Sequence, residues 1–319
     1  MILTLTANPS LDRTLELGGP LERGEVQRTR DVRAEPGGKG VNVSRVVAEA
    51  GLPTTAVLPA RGGDPLLVAL DAVRLTYRAV PVDGEVRSNI TIAEPDGTTT
   101  KINASGQPLD QPTRRALTDL IVAGTAGATW VALCGSLPPG IRDDWYRTLA
   151  DELAGCGAKI AIDTSGAALT AAVTGPVDLV KPNETELADA VGADPARLRA
   201  AAAAGDLGPI TLAAAELVGR TGGAVLATLG AAGAVLTTAA GSWFATPPPI
   251  VPRSTVGAGD SSLAGYLIAE TRGLDEPGRL QMAVAYGSAA AALPGTQPPR
   301  PTQLDLAGTA VTALTGATG

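Results

Sequence analysis

Short apolar runs rich in β-branched residues alternate along this chain with segments of helical periodicity. That alternation restricts the fold more than any single motif. The runs are Ile2–Thr6, Thr129–Cys134, Lys159–Asp163, Asp178–Val180, Ala224–Leu229 and Ala234–Thr238. Each is nearly continuous in apolar character, as strands covered on both faces must be. Between them, Gly40–Ala50 places Val43, Val46, Val47 and Ala50 on one helical face. Thr113–Ala123 does the same with Leu117, Leu120 and Ile121, and Asp143–Leu153 with Trp145, Leu149 and Leu153. Ser261–Glu270 and Pro277–Leu293 are two further helices. The pattern predicts an α/β fold: a central, mostly parallel sheet flanked by helices.

Two segments break the rhythm. Arg13–Arg33 and Arg87–Asn103 alternate polar and apolar residues, as in Ser88-Asn89-Ile90-Thr91-Ile92, and Pro95-Asp96-Gly97 marks a hairpin turn. They predict antiparallel strands outside the main sheet, a small β-sheet lid contributed by about 13–33 and 87–103. With 319 residues, 45% apolar and 18% charged, the chain has enough apolar material for one large core. We therefore expect a single domain over 1–319. Ala200–Ala204 is a short alanine-rich helical piece with no functional signal.

Charge and absences narrow the chemistry. A net charge of −7 argues against nucleic acid or an anionic membrane as partner. No run of 18 apolar residues is present, and Met1-Ile2-Leu3-Thr4-Leu5 has no basic segment before it, so we expect a cytoplasmic protein. Cys134 and Cys156 are 22 residues apart, with neither metal nor redox spacing, and are read as reduced thiols. The chain has no histidine, which removes the commonest general base and every His-ligated metal. Proton transfer must fall to a carboxylate, Lys, Tyr or Cys. Lysine is scarce: Lys39, Lys101, Lys159 and Lys181.

Three glycine- or cap-bearing clusters carry the chemistry. Pro36-Gly37-Gly38-Lys39-Gly40-Val41-Asn42 leads into a helix whose free N–H groups suit an anion or a hydroxyl. It lacks Walker A spacing, and its plainer reading is a Gly-rich turn. Thr255-Val256-Gly257-Ala258-Gly259-Asp260-Ser261 again opens a helix, with small residues leaving amides bare as an anion hole. In a chain without histidine, Asp260 at its mouth is a natural general base for a hydroxyl nucleophile. The competing reading makes Asp260 an ordinary N-cap. Lys181-Pro182-Asn183-Glu184-Thr185-Glu186 follows a strand end, where Asn183 and Glu186 suit a hydrated Mg²⁺. The same spacing reads as a capping box.

Smaller signals are Asn8-Pro9-Ser10-Leu11-Asp12, Gly135-Ser136-Leu137-Pro138-Pro139-Gly140 and Thr228-Leu229-Gly230-Ala231-Ala232-Gly233, the last also readable as a simple hairpin. Arg87, Asn89 and Lys101 lie on the lid strands, where a solvated face is the plainer explanation for each.

In order along the chain, N-P-S-L-D, P-G-G-K-G-V-N, R-S-N-I, T-T-K-I-N, G-S-L-P-P-G, K-P-N-E-T-E-L, T-L-G-A-A-G-A and T-V-G-A-G-D-S make it resemble the ribokinase-like sugar kinases of the phosphofructokinase B family. The N-P-S-L-D opening and the R-x-N and T-T-K-I-N pair are similar to its phosphosugar branch, the 1-phosphofructokinases and tagatose-6-phosphate kinases. The resemblance implies ATP-dependent phosphorylation of a ketose phosphate, fructose 1-phosphate to fructose 1,6-bisphosphate foremost, with tagatose 6-phosphate or fructose 6-phosphate as alternative acceptors. It implies Asp260 as base and Gly257, Ala258 and Gly259 as the anion hole. Thr228, Gly230 and Gly233 would border ATP with Gly259, and Lys181, Asn183 and Glu186 would serve its phosphates and Mg²⁺. Asp12, Gly38, Lys39 and Asn42 would hold the sugar. Arg87, Asn89, Lys101 and Ser136 would face its standing phosphate, with Lys39 lending a further cation. It also implies a homodimer formed through the lid. One departure is Arg61-Gly62-Gly63-Asp64-Pro65-Leu66, which lacks a second glycine, in a segment that runs short up to Arg78 and puts the packing beside the lid in question.

Two rivals are weighed against this reading. A sugar-phosphate-binding regulator without turnover is disfavoured by the complete G-A-G-D. A nicotinamide dehydrogenase would need G-x-G-x-x-G after the first strand, where Asn8-Pro9-Ser10 stands.

Overall fold

The structure is a computed structural model that describes residues 1–314; residues 315–319 of the expected domain lie outside it. In chain order its strands are β1 (Ile2–Thr6), β2 (Ser10–Leu17), β3 (Thr29–Gly37), β4 (Thr54–Pro59), β5 (Tyr77–Val80), β6 (Arg87–Ala93), β7 (Thr99–Asn103), β8 (Trp130–Cys134), β9 (Lys159–Asp163), β10 (Leu179–Val180), β11 (Ala224–Thr228), β12 (Ala234–Thr238), β13 (Gly241–Thr246) and β14 (Ala310–Leu314). The helices are α1 (Lys39–Glu49), α2 (Pro65–Ala72), α3 (Gln111–Gly124), α4 (Trp145–Glu152), α5 (Gly166–Ala172), α6 (Glu184–Val191), α7 (Pro195–Ala203), α8 (Gly208–Thr221), α9 (Ala258–Thr271) and α10 (Glu276–Ala291).

Ten strands form one sheet in the order β14-β13-β12-β11-β10-β9-β8-β1-β4-β5. From β11 to β5 every pairing is parallel; β12, β13 and β14 add antiparallel pairs at one edge. The interior strands are buried along their whole length, which is why they read as continuous apolar runs. One apolar layer, including Leu5, Leu133, Ile162 and Leu217, covers one face. A second, including Val46, Trp130, Leu226 and Tyr286, covers the other. Three helices begin with an Asp cap followed by Pro in the first turn, Asp110 for α3, Asp194 for α7 and Asp275 for α10. Among the described residues no helix is long and apolar enough to cross a membrane.

The lid is a separate four-stranded sheet, β3-β2-β6-β7. Its hairpins β2–β3 and β6–β7 are antiparallel as expected, with the 95–97 turn closing the second. The pairing that joins them, β2–β6, is parallel, which corrects the all-antiparallel expectation. Alternation identifies each hairpin, but strand direction between distant segments has no local signature. β2 and β3 also run into the body, so Asp12 and Gly37 belong to lid strands.

The segment 61–78 closes well despite its short length. Asp64, almost fully buried, caps α2 through the Leu66 amide and accepts a hydrogen bond from the Val86 amide. Leu66 and Leu70 then fill a small core with Val41, Ala56 and Leu58.

Candidate active site

The site lies where strands β1, β8, β9, β10 and β11 end at their carboxyl edge, the usual ligand side of an open α/β sheet. Gly38 caps α1 with φ 103°, a left-handed backbone that glycine tolerates. This turn starts α1 so that Lys39 and Asn42 share its first turn. The Asn42 side-chain amide donates to the Asp260 carboxylate at 2.8 Å.

Asp260 sits in the first turn of α9. The N-cap is Gly257, with φ 78° and no side-chain capping bond. Asp260 is therefore not the ordinary cap of the competing reading. Its carboxylate is buried and turned to Asn42 instead. Burial first, and then repulsion from the Asp163 carboxylate, push its pKa up to about 6. The amides of Ala258, Gly259 and Asp260 are the open end of the helix, where anions are favoured.

Asp163 is a central residue that sequence reasoning passed over. It ends β9, is fully buried, and pairs with Lys39 Nζ at 2.6 Å and Lys181 Nζ at 3.1 Å. Burial opposes its charge, but the two ammonium groups outweigh burial and hold its pKa below the usual carboxylate range. For Lys39, burial pulls down while Asp163 and Asp260 pull up harder, so the ammonium is held above the usual lysine range. The available signal was a carboxylate closing an otherwise apolar strand at its carboxyl end.

The segment that leads into α9 lines two cavities, Arg253, Ser254 and Val256 one of them and Thr255, Ala258 and Gly259 the other. One, of about 650 Å³, is lined by Asn183, Thr228, Gly230, Gly233, Ala258 and Gly259, with Pro247 and Pro248 on its far wall. It brings together most of the residues expected around a nucleotide. Lys181 stands just behind: a Cβ on Gly259 would lie 3.4 Å from its Nζ. The β11–β12 turn is the hairpin of the plainer reading, and it also walls this cavity. Asn183 and Glu186 likewise form the complete capping box of α6. Asn183 Oδ1 accepts from the Thr185 and Glu186 amides, and Glu186 Oε2 accepts from the Asn183 amide.

The other cavity, of about 520 Å³, lies under the lid and is lined by Asp12, Asn89, Lys101, Arg253 and Thr296 among others. Asp12 accepts from Asn89 at 2.9 Å and from Ser10 at 2.7 Å. The pairing register Asp12–Asn89 and Thr91–Lys101, with period-two alternation, puts these side chains on one face. Arg87 and Ser136 gather instead around Asn8. Arg87 donates to the carbonyls of Ala104 at 2.7 Å and Asn8 at 3.2 Å, while Asn8 donates to Ser136 Oγ at 3.2 Å. Lys39 is not part of the lid cavity's lining, because its ammonium is held by Asp163. Arg253, seven residues before Asp260, was missed; nothing in its local sequence distinguishes it from other surface arginines.

The arrangement places a helix N-terminus, suited to an anionic group, beside a buried carboxylate. Comparisons with known proteins agree. The profile of the pfkB family carbohydrate kinases matches residues 5–303. The chain is 34% identical to the 1-phosphofructokinase of Rhodobacter capsulatus, over 98% of each chain. It is 33% identical to the ATP-dependent 6-phosphofructokinase isozyme 2 of Escherichia coli, over 93% of this chain and 94% of the relative. The crystal structure of phosphofructokinase-2 from Escherichia coli in complex with substrates and products superposes with a TM-score of 0.84 at 29% identity, covering 95% of this chain and 96% of that one.

Proposed function

This chain belongs to the pfkB family of carbohydrate kinases, and on that premise we propose that it passes the γ-phosphoryl group of ATP to a hydroxyl of a ketose phosphate, fructose 1-phosphate foremost. It is a sugar kinase, and sugar kinases of this family use ATP. The observation that carries the reading is Asp260: a buried carboxylate of raised pKa, held by Asn42 in the first turn of α9, next to the Ala258 and Gly259 that line the larger cavity. The 1-phosphofructokinase name of the first relative favours fructose 1-phosphate, giving fructose 1,6-bisphosphate. The 33% identity to a 6-phosphofructokinase keeps fructose 6-phosphate as the second acceptor to compare.

In this mechanism the ketose phosphate lies under the lid, with Asp12 and Asn89 on its hydroxyls. Asp260 takes the proton of the attacking hydroxyl. The amides of Ala258 and Gly259 receive the transferring phosphoryl group, and Lys181 behind them adds positive charge. ATP occupies the larger cavity, against Thr228, Gly230 and Gly233. Among the described residues no cluster of three or more acidic, Cys or His side chains is placed to hold a metal. The donor set fits a hydrated Mg²⁺ carried on the nucleotide phosphates, with the second carboxylate oxygen of Glu186 as an outer partner. The ion held there would supply neutralisation of the charge on the nucleotide's phosphates.

The standing phosphate needs free cations in an acidic protein. Lys101 and Arg253 line the lid cavity and are in no ion pair among the described residues. Arg87 lies outside that cavity's lining, with its guanidinium on the Ala104 and Asn8 carbonyls. Lys101→Ala raises KM for fructose 1-phosphate about tenfold, the lower end for a charge-assisted contact because Lys101 is exposed. Its KM for ATP moves little. Steady-state kinetics at saturating co-substrate check this, and an unchanged KM for the sugar phosphate removes Lys101 from the subsite.

The outer lid face carries Leu15, Ile90 and Ile92 beside the exposed Val32 and Ile102, a face suited to a second copy of the chain. We assign a homodimer through it. A cytoplasmic setting supplies ATP and keeps the free Cys134 and Cys156 reduced.

A further inference from the structure

Asp163 takes no part in the transfer as described, yet it is the best-neutralised carboxylate of the site. The two lysines that neutralise it come from different elements. Lys39 opens α1, three residues before the Asn42 that holds Asp260. Lys181 follows β10 and stands against Gly259 of the anion hole. The backbone around Asp163 is fixed as well. Its carbonyl accepts from the Gly135 amide at 2.8 Å, and Thr164 Oγ1 donates to the Gly135 carbonyl at 2.9 Å. An isolated buried carboxylate is strongly unfavourable, and two contacting ammonium groups remove that cost. The converse also holds: without Asp163, two long flexible lysines lose the partner that fixes them.

We propose that Asp163 is a positioning residue: it fixes Lys39 and Lys181 as a pair of cations flanking Asp260, and Lys39 acts through this pair rather than by gripping the sugar's phosphate. The proposal rests on the kinase reading above and assigns Lys39 a role different from the one the family resemblance implies.

The charged groups that face Asp260 are Asp163, Lys39 and Lys181, with Asn42 as the neutral donor. Asp163 disfavours the Asp260 carboxylate, and both lysines favour it. Removing the Lys39 charge therefore raises the pKa of Asp260, and removing the Asp163 charge lowers it. The two variants move the base in opposite directions, which loss of packing at either position does not do.

The test is the pH profile of kcat/KM for fructose 1-phosphate, at saturating MgATP, for wild type, Lys39→Met, Lys39→Arg and Asp163→Asn. The acidic limb of wild type is expected near 6, where burial and Asp163 place the Asp260 carboxyl. Lys39→Met moves it up by about one pH unit, the change expected from one nearby charge, and Asp163→Asn moves it down by a similar amount. Lys39→Arg leaves it in place. In Lys39→Met kcat falls, while KM for the sugar phosphate stays within about threefold of wild type. An unmoved limb in Lys39→Met, together with a KM raised tenfold or more, makes Lys39 a phosphate ligand and overturns the proposal. If Asp163→Asn does not fold, Lys39→Met and Lys39→Arg decide the matter alone. NMR titration of the Asp260 carboxyl in the substrate-free protein reads the same shifts without any sugar. A wild type inactive on fructose 1-phosphate thus refutes the substrate assignment, and the titration still decides the role of Asp163.

Discussion

Asp260→Asn lowers kcat by about 10²–10⁴, the range for removal of a general base. The substitution is isosteric, and the asparagine oxygen still accepts from Asn42, so the geometry of the site is retained. What disappears is the group proposed to remove the hydroxyl proton, and without histidine the chain has no ready substitute. The KM for ATP changes little, because the nucleotide cavity is lined by Asn183, Thr228, Gly230 and Gly233. The wild-type rate rises with pH through about 6, as Asp260 loses its proton. Stability runs the other way. The folded-state pKa is raised from 3.8 to about 6, so the folded protein binds the extra proton in that window. The contribution present below 3.8 is lost as pH rises through 6. Asp260→Asn removes that loss, so its Tm at pH 7 is equal to or above wild type. Kinetics paired with thermal unfolding separate the two roles: near-normal turnover with a lowered Tm makes Asp260 a structural residue.

Gly40→Ala has the second largest effect, through contact rather than chemistry. A Cβ at Gly40 would lie 2.5 Å from Thr6 Oγ1 and 2.8 Å from the Leu5 carbonyl oxygen. The second of these is backbone of the central strand β1 and cannot turn aside. α1 must therefore move off the sheet, and it carries Lys39 and Asn42 with it. Overpacking of this kind costs about 1–3 kcal/mol. Displacement of the Asn42–Asp260 pair by about 1 Å costs up to about 10²-fold in kcat. Activity falls further than the Tm shift explains. A variant with native Tm and native kcat shows that α1 does not fix the base.

Much of the fold was legible because buried parallel strands have a plain signature. Ile2–Thr6, Lys159–Asp163 and Ala234–Thr238 coincide with β1, β9 and β12. The edges were not legible. β5 contains Arg78 and is half-exposed, and β13 and β14 are short of buried apolar residues, so none reads as an interior strand. α5 and α8 are rich in Ala, Gly and Thr, with a weak polar–apolar contrast, and packing rather than pattern makes them helical. The site was legible where glycines and caps cluster at helix starts. Asp260, Asn42 and the nucleotide wall follow from those motifs. Asp163 did not, because its significance is a contact with lysines 124 residues before it and 18 after it, which no local pattern records. Arg87 was named from its motif, but its partners, the Asn8 and Ala104 carbonyls, meet it only in the fold.

The most direct measurement is a panel of kcat/KM values with ATP for fructose 1-phosphate, fructose 6-phosphate, tagatose 6-phosphate and ribose. Coupled ADP release gives all four on one scale. In the proposed reading, Lys101 and Arg253 at the lid cavity act only on an acceptor that already carries a phosphate. Each charge-assisted contact contributes about 1.5–3 kcal/mol, or about 10–150-fold. All three phosphosugars should therefore exceed ribose by at least about tenfold, and the likeness to a 1-phosphofructokinase puts fructose 1-phosphate highest. Ribose turned over as efficiently as fructose 1-phosphate contradicts the account and places the enzyme among kinases of neutral sugars.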